Sequence, residues 1–201
     1  MNWGNLKEQI RDLGFEDDSI FSEYQSVIIN AVNRAVKLIN TNIIPVQGKY
    51  EFTQNGTQTG FERHDLSGIT DSQGNHIFES LTGMPTRIYN NEYYAFNNYT
   101  VEQNHIILIN RSIPGNFTFF FKQRIPDIKA STQDDYVVPI DKTVEPLLPL
   151  LAAHYVWLDD EEQKAVMYYN EYEGMKNEIL NAIREKESTP KAIIYGGIDW
   201  S

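Results

Sequence analysis

The side chains able to do chemistry in this sequence are few and widely spaced. Asp159-Asp160-Glu161-Glu162 is dense enough to suggest metal ligands, and Asp134-Asp135 could be read as a general acid/base pair. Both have a plainer reading. The acidic run stands where one helix closes and the next opens, so its charge complements a positive helix end. Asp134-Asp135 precedes a Tyr-Val-Val-Pro stretch, where solvated turn carboxylates are expected. The four histidines, His64, His76, His105 and His154, contain no i, i+4 pair, and His154 sits in an apolar segment as a hydrogen-bonded core residue would. There is no phosphate loop, no Gly-x-Ser-x-Gly elbow, no His-Glu-x-x-His and no calcium loop. The sequence therefore assigns no catalytic, cofactor-binding or metal-binding residue, and the expectation is a protein that is not an enzyme. A hydrolase with dispersed catalytic residues stays open as a weaker reading, because triads assemble across a fold.

Aromatic residues offer a second kind of chemistry. Tyr89, Tyr93, Tyr94, Phe96 and Tyr99 could line a platform on which sugars or bases stack. Period-2 geometry turns half of any such set inward, so packing accounts for most of it. A carbohydrate-binding β-module built on these aromatics is the alternative function that the sequence leaves open.

Composition narrows the field further. The 201 residues carry 17 basic and 28 acidic side chains, a net charge of −11, the wrong sign for a groove that neutralises phosphates. An acidic wall that faces DNA without holding it is compatible with that charge. With no cysteine there is no disulfide framework, thiol catalysis or cysteine-built zinc site. The first residues lack the basic flank and apolar run of a signal peptide, and no stretch approaches 18 apolar residues, so no membrane span is expected. The Asn-x-Ser/Thr triplets at Asn55, Asn98, Asn110 and Asn116 are what chance supplies in an Asn- and Thr-rich chain.

The elements that must position these groups fall into three blocks. Trp3, Leu6, Ile10 and Leu13 lie on one helical face, and Gly14 stands where a helix turns left-handed and stops, which predicts a helix over 3–13. Asp17-Asp18-Ser19 supplies N-cap chemistry for a second helix over 19–41, with Phe21 to Ile39 as its apolar stripe. From 48 to 140 the apolar period falls toward 2. Asn90-Asn91 and Gln103-Asn104 each separate two short alternating runs, the pattern of two-residue hairpins. Phe117 to Lys122 is a further strand, while 53–80 is weakly patterned and reads as a long loop or irregular arm. Helices return over 144–158, apolar nearly all round and expected to become regular only from Pro149, and over 160–187. The fold class expected is α+β: N- and C-terminal helices forming a helical bundle, an inserted antiparallel β-sheet or small sandwich, and an extended C-terminal arm. Residues 1–190 form one domain and 191–201 the arm.

The arm holds Ile193, Ile194, Tyr195, Ile198 and Trp200, with Gly196-Gly197 allowing a sharp bend. It either folds back on its own domain or docks on a neighbour, where a Trp at the tip suits an interface anchor.

Taken in order, Asn5 to Gly14, Ile29 to Ala35, Phe117 to Pro126, Asp134 to Ile140, Leu147 to Asp160 and Ala165 to Tyr172 resemble the head–tail connector (adaptor) proteins of tailed bacteriophages. The resemblance spans most of the chain, departing in the Asn-rich segment 54–86 and in the tail. It implies a virion protein of the phage neck, with no cofactor and no membrane partner. It implies a ring, usually of twelve copies, that joins the portal protein to a downstream stopper or tail protein and passes DNA without reading it. It further implies that Ile193, Ile194, Tyr195, Ile198 and Trp200 contact the portal or a neighbouring subunit, and that Tyr168, Tyr169 and Tyr172 serve ring interfaces.

Overall fold

Residues 1–188 are described by a computed structural model, in which the chain is an α+β protein with five helices and two antiparallel sheets. In chain order come α1 (Trp3–Asp12), α2 (Asp18–Glu23) and α3 (Gln25–Asn42). Seven strands follow: β1 (Gln47–Gln54), β2 (Phe61–Asp65), β3 (Phe78–Tyr89), β4 (Glu92–Ala95), β5 (Thr100–Glu102), β6 (Ile106–Asn110) and β7 (Gly115–Gln123). The chain then returns to helix as α4 (Leu147–Trp157) and α5 (Glu162–Ser188).

Helices from both ends of the chain share one apolar core. Leu6 and Ile10 of α1, Val32, Ala35 and Ile39 of α3, Leu147 and Leu151 of α4, and Ala165 and Tyr172 of α5 are all buried in it. α4 is its axis: nine of its eleven residues are buried, each large aliphatic contributing about 1.5–3 kcal/mol on removal from water. Pro149 does not delay this helix to its own position. It falls in the first turn, where the N–H it lacks would have had no helical partner, so the helix is regular from Leu147.

α1 ends at Gly14, whose φ of +137° only glycine adopts without strain. Other helices satisfy the carbonyls left over there. Trp157 Nε1 donates to Leu13 O at 3.3 Å, Tyr168 Oη donates to the same oxygen, and Lys164 Nζ reaches Gly14 O at 3.5 Å. The expected continuous helix over 19–41 is instead two, broken at Tyr24. The ring of Tyr24 packs on Phe15 and Trp157 while its hydroxyl donates to Asp160 at 2.5 Å, and these tertiary contacts override the local pattern.

The strands form two sheets, ordered β1-β7-β3-β4 and β2-β6-β5. Their apolar faces meet in a second core: Phe117 and Phe119 of β7, Ile107 and Ile109 of β6, Leu66 and Phe96 are buried together, with Phe52 of β1 stacked on Phe117. Gly48 is fixed by this packing, since a Cβ there would meet the Phe121 ring at 2.3 Å across the strand pair. Both hairpin turns have the left-handed residues that a tight two-residue turn demands, with φ of 51° and 64° at Asn90 and Asn91, and 51° and 63° at Gln103 and Asn104.

Two expectations about the insertion are corrected. The segment 53–80 is no long loop: it holds the end of β1, all of β2 and the start of β3. Conversely, the β-rich region does not run to residue 140. Beyond Gln123 the Tyr136–Pro139 stretch makes one isolated bridge, Val137 with Asn2. Trp3 N donates to Tyr136 O at 2.8 Å and Val138 N to Met1 O at 3.1 Å, so this stretch pairs with the N-terminus and joins the helical core.

The two lobes meet at Asn40, a buried polar residue at the end of α3. Its Nδ2 donates to Gln123 O at 3.1 Å, its Oδ1 accepts from Val46 N at 2.7 Å, and Gln123 N donates to Val46 O at 2.8 Å. The strands of entry and exit are thus clasped to one helix by one side chain.

Candidate interaction surfaces

The helical lobe has an open groove on one side. A cavity of about 610 Å³ opens between the end of α1 (Gln9, Asp12, Leu13), the start of α4 (Pro146, Pro149, Leu150) and the middle of α5 (Glu171, Gly174, Met175, Glu178). Its floor is apolar and three carboxylates stand among its lining residues. Elsewhere on this lobe Leu158, Val166, Met167 and Tyr169 are exposed around the α4–α5 corner.

The three tyrosines expected at ring interfaces do not share a face. Tyr169 is exposed, but Tyr168 and Tyr172 are buried in the core. Their positions on α5 lead to different tasks: Tyr168 caps α1, and burial pushes the Tyr172 phenol up to about 12. His154 is hydrogen-bonded as expected but half-buried rather than in the core, its Nδ1 donating to Ala165 O at 2.9 Å and tying α4 to α5.

The acidic stretches are likewise structural. Glu162 lies in the first turn of α5, Glu161 pairs with Lys164 at 2.8 Å, and Asp134 pairs with Lys7 at 2.5 Å. Among the described residues no group of three or more His, Asp or Glu could hold a metal ion. No described helix is long and apolar enough to cross a membrane.

In the β lobe the aromatic set does not divide by alternation, because the edge strand β4 is exposed along its whole length, Tyr93 and Tyr94 alike. Phe96 is buried and Tyr99 packs edge-on against Phe119 at 5.0 Å, whereas Tyr89, Tyr93 and Tyr94 are exposed on the β3–β4 hairpin at the open edge of its sheet. Arg87 lies over the Tyr89 ring at 4.7 Å, and Tyr94 Oη donates to Glu92.

A polar cluster that sequence reasoning missed lies where the two sheets meet. Tyr50 Oη and His64 Nδ1 are 3.1 Å apart, and the His64 ring stacks on Phe52 at 3.8 Å. The second ring nitrogen of His64 and the Nε of Arg111 each stand 3.9 Å from a carboxylate oxygen of Glu62, too far for a hydrogen bond. With Gln54, Glu62 and Arg111 border a polar cavity of about 250 Å³. Burial holds the His64 imidazole below its ordinary value, only partly offset by Glu62, and burial raises the Tyr50 phenol. The cluster brings together no acid, base and nucleophile in hydrogen-bonded sequence. Its members other than Arg111 fall in or beside the weakly patterned 53–80 segment. The only sequence signal was the alternation Tyr50, Phe52, Gln54.

The arm residues Ile193, Ile194, Tyr195, Ile198 and Trp200 lie outside the described residues. No protein-family model matches this chain, and no curated protein matches it.

Proposed function

We infer that this chain is a structural, non-enzymatic protein of a tailed-phage neck, a connector whose copies form a ring joining portal to tail. The finer architecture in this reading is a helical bundle carrying a small β-sandwich, with 191–201 as an arm reaching a portal or neighbouring subunit. The observation that carries it is the chain order. N-terminal and C-terminal helices share one core while residues 47–123 stand out as an insertion, in the order that the resemblance implies. Surplus apolar surface supports it too, since a ring needs two different faces that close by rotation, and the groove and the α4–α5 corner are distinct faces. Charge fits the same role. From Asp159 to the last residue there are ten acidic against five basic side chains, and such a wall repels phosphates within a screening length of ~8 Å.

Native mass spectrometry of the purified chain, alone and with the cognate portal protein, tests the reading. A closed ring on the portal is the expected result, and a strict monomer that ignores the portal would overturn it. Deleting 191–201 should leave the described domain folded and abolish portal attachment.

The rival reading, a carbohydrate-binding module, draws on the exposed Tyr89, Tyr93 and Tyr94. It predicts portal-independent glycan binding lost on replacing Tyr93.

A further inference from the structure

The groove between α1, α4 and α5 contains an unexplained residue. Gly174 lies in the interior of α5, where glycine is a poor helix former, yet a Cβ placed on it would meet nothing within 4 Å. It has no left-handed φ and no described neighbour that demands its smallness. It is also one of the residues lining the groove, together with Met175, Pro149 and Leu150. Gly174 is itself exposed, so it leaves a stretch of bare helix backbone on the groove's lining that another segment can approach closely.

Chain length identifies a segment able to reach it. Gly174 precedes Ser188, the last described residue, by about 21 Å of helix. The residues from Ser188 to Trp200 can span up to about 40 Å when extended, enough to turn back along α5 and cover the groove. That segment carries five large apolar residues, Ile193, Ile194, Tyr195, Ile198 and Trp200, for which a polar exterior offers no place. Because the arm grows from the helix that forms one wall, its local concentration at the groove far exceeds that of any separate chain.

We propose that the groove over Gly174 is the seat of the chain's own residues 191–201, which lie in it while the subunit is free. Any partner that takes the arm must first withdraw it, so the seat sets a threshold for association. This holds for the isolated chain whether or not it ever forms a ring.

Tryptophan fluorescence reads the seat directly. The chain has three tryptophans, and Trp3 and Trp157 are buried, so any emission that acrylamide quenches freely belongs to Trp200. In the full chain all three should be protected. Gly174→Leu fills the seat and should render about a third of the emission quenchable, with the helical circular dichroism unchanged. Ile194→Asp alters only the arm and should do the same without touching the described fold, which guards against a misfolded groove variant. Freely quenched Trp200 in the unaltered chain would overturn the proposal, as would protection that survives both substitutions. Protection that appears only as protein concentration is raised a hundredfold would also overturn it, by showing that a second copy holds the arm.

Discussion

The two lobes of this molecule are stabilised by different chemistry. The helical lobe packs aliphatic side chains from both chain ends around a nearly all-apolar α4, and the polar groups at its helix ends find partners on neighbouring helices. The β lobe packs rings on rings, with Phe52 and Phe96 each against both Phe117 and Phe119, and it keeps a histidine, an arginine and a glutamine only partly satisfied between its sheets. The helical lobe therefore has its spare capacity on the outside, in the groove and at the α4–α5 corner. The β lobe has unspent polarity inside and exposed aromatic edges.

If the lobes are separate packing units, damage to one should stay there. Phe119→Ala empties the centre of the ring cluster and should cost about 3–5 kcal/mol. Hydrogen exchange should then show β6 and β7 amides opening while α3 and α4 amides keep their protection; equal loss in both would break the comparison. The next largest effect is expected at the clasp. Asn40→Ala strands Val46 N and Gln123 O without partners, costing about 2–4 kcal/mol, and should split a single denaturation transition into two.

A smaller, pH-dependent effect should distinguish the β lobe. Its unfolded chain accepts a proton at His64 more readily than the folded one does, because burial lowers the folded-state value. Stability is then intact above the ordinary value of 6.5 and drains as pH falls below it, until the folded imidazole also titrates. His64→Gln should flatten that part of the profile, measured as denaturation midpoint against pH; an unchanged slope would assign it elsewhere. Smallest of all, Tyr93→Ser on the exposed hairpin should change stability by less than about 0.5 kcal/mol. A larger loss would mean the hairpin aromatics belong to the core after all.

The comparison also explains what the sequence could show. Helical faces were legible because Leu6, Ile10, Val32, Ala35 and Ile39 recur at helical spacing and all point inward. Both tight hairpins were legible because Asn90-Asn91 and Gln103-Asn104 tolerate left-handed backbone. β2 was not, because only Glu62 and His64 face inward on it and neither is apolar. The Tyr24 break and the inward turn of Tyr168 were hidden for another reason. Each depends on partners more than a hundred residues away, Asp160 and Leu13. The groove was invisible for the same reason, being an absence shared by three helices.

One consequence of the Asn40 clasp concerns how such a chain could have been put together. Val46 and Gln123, the points where the polypeptide leaves and re-enters the helical lobe, face each other across a single backbone hydrogen bond. A tight turn could therefore bridge them with the intervening strands removed. The β lobe is in that sense a detachable cassette, one that descent could lengthen, trade or discard while the helices underneath kept their arrangement.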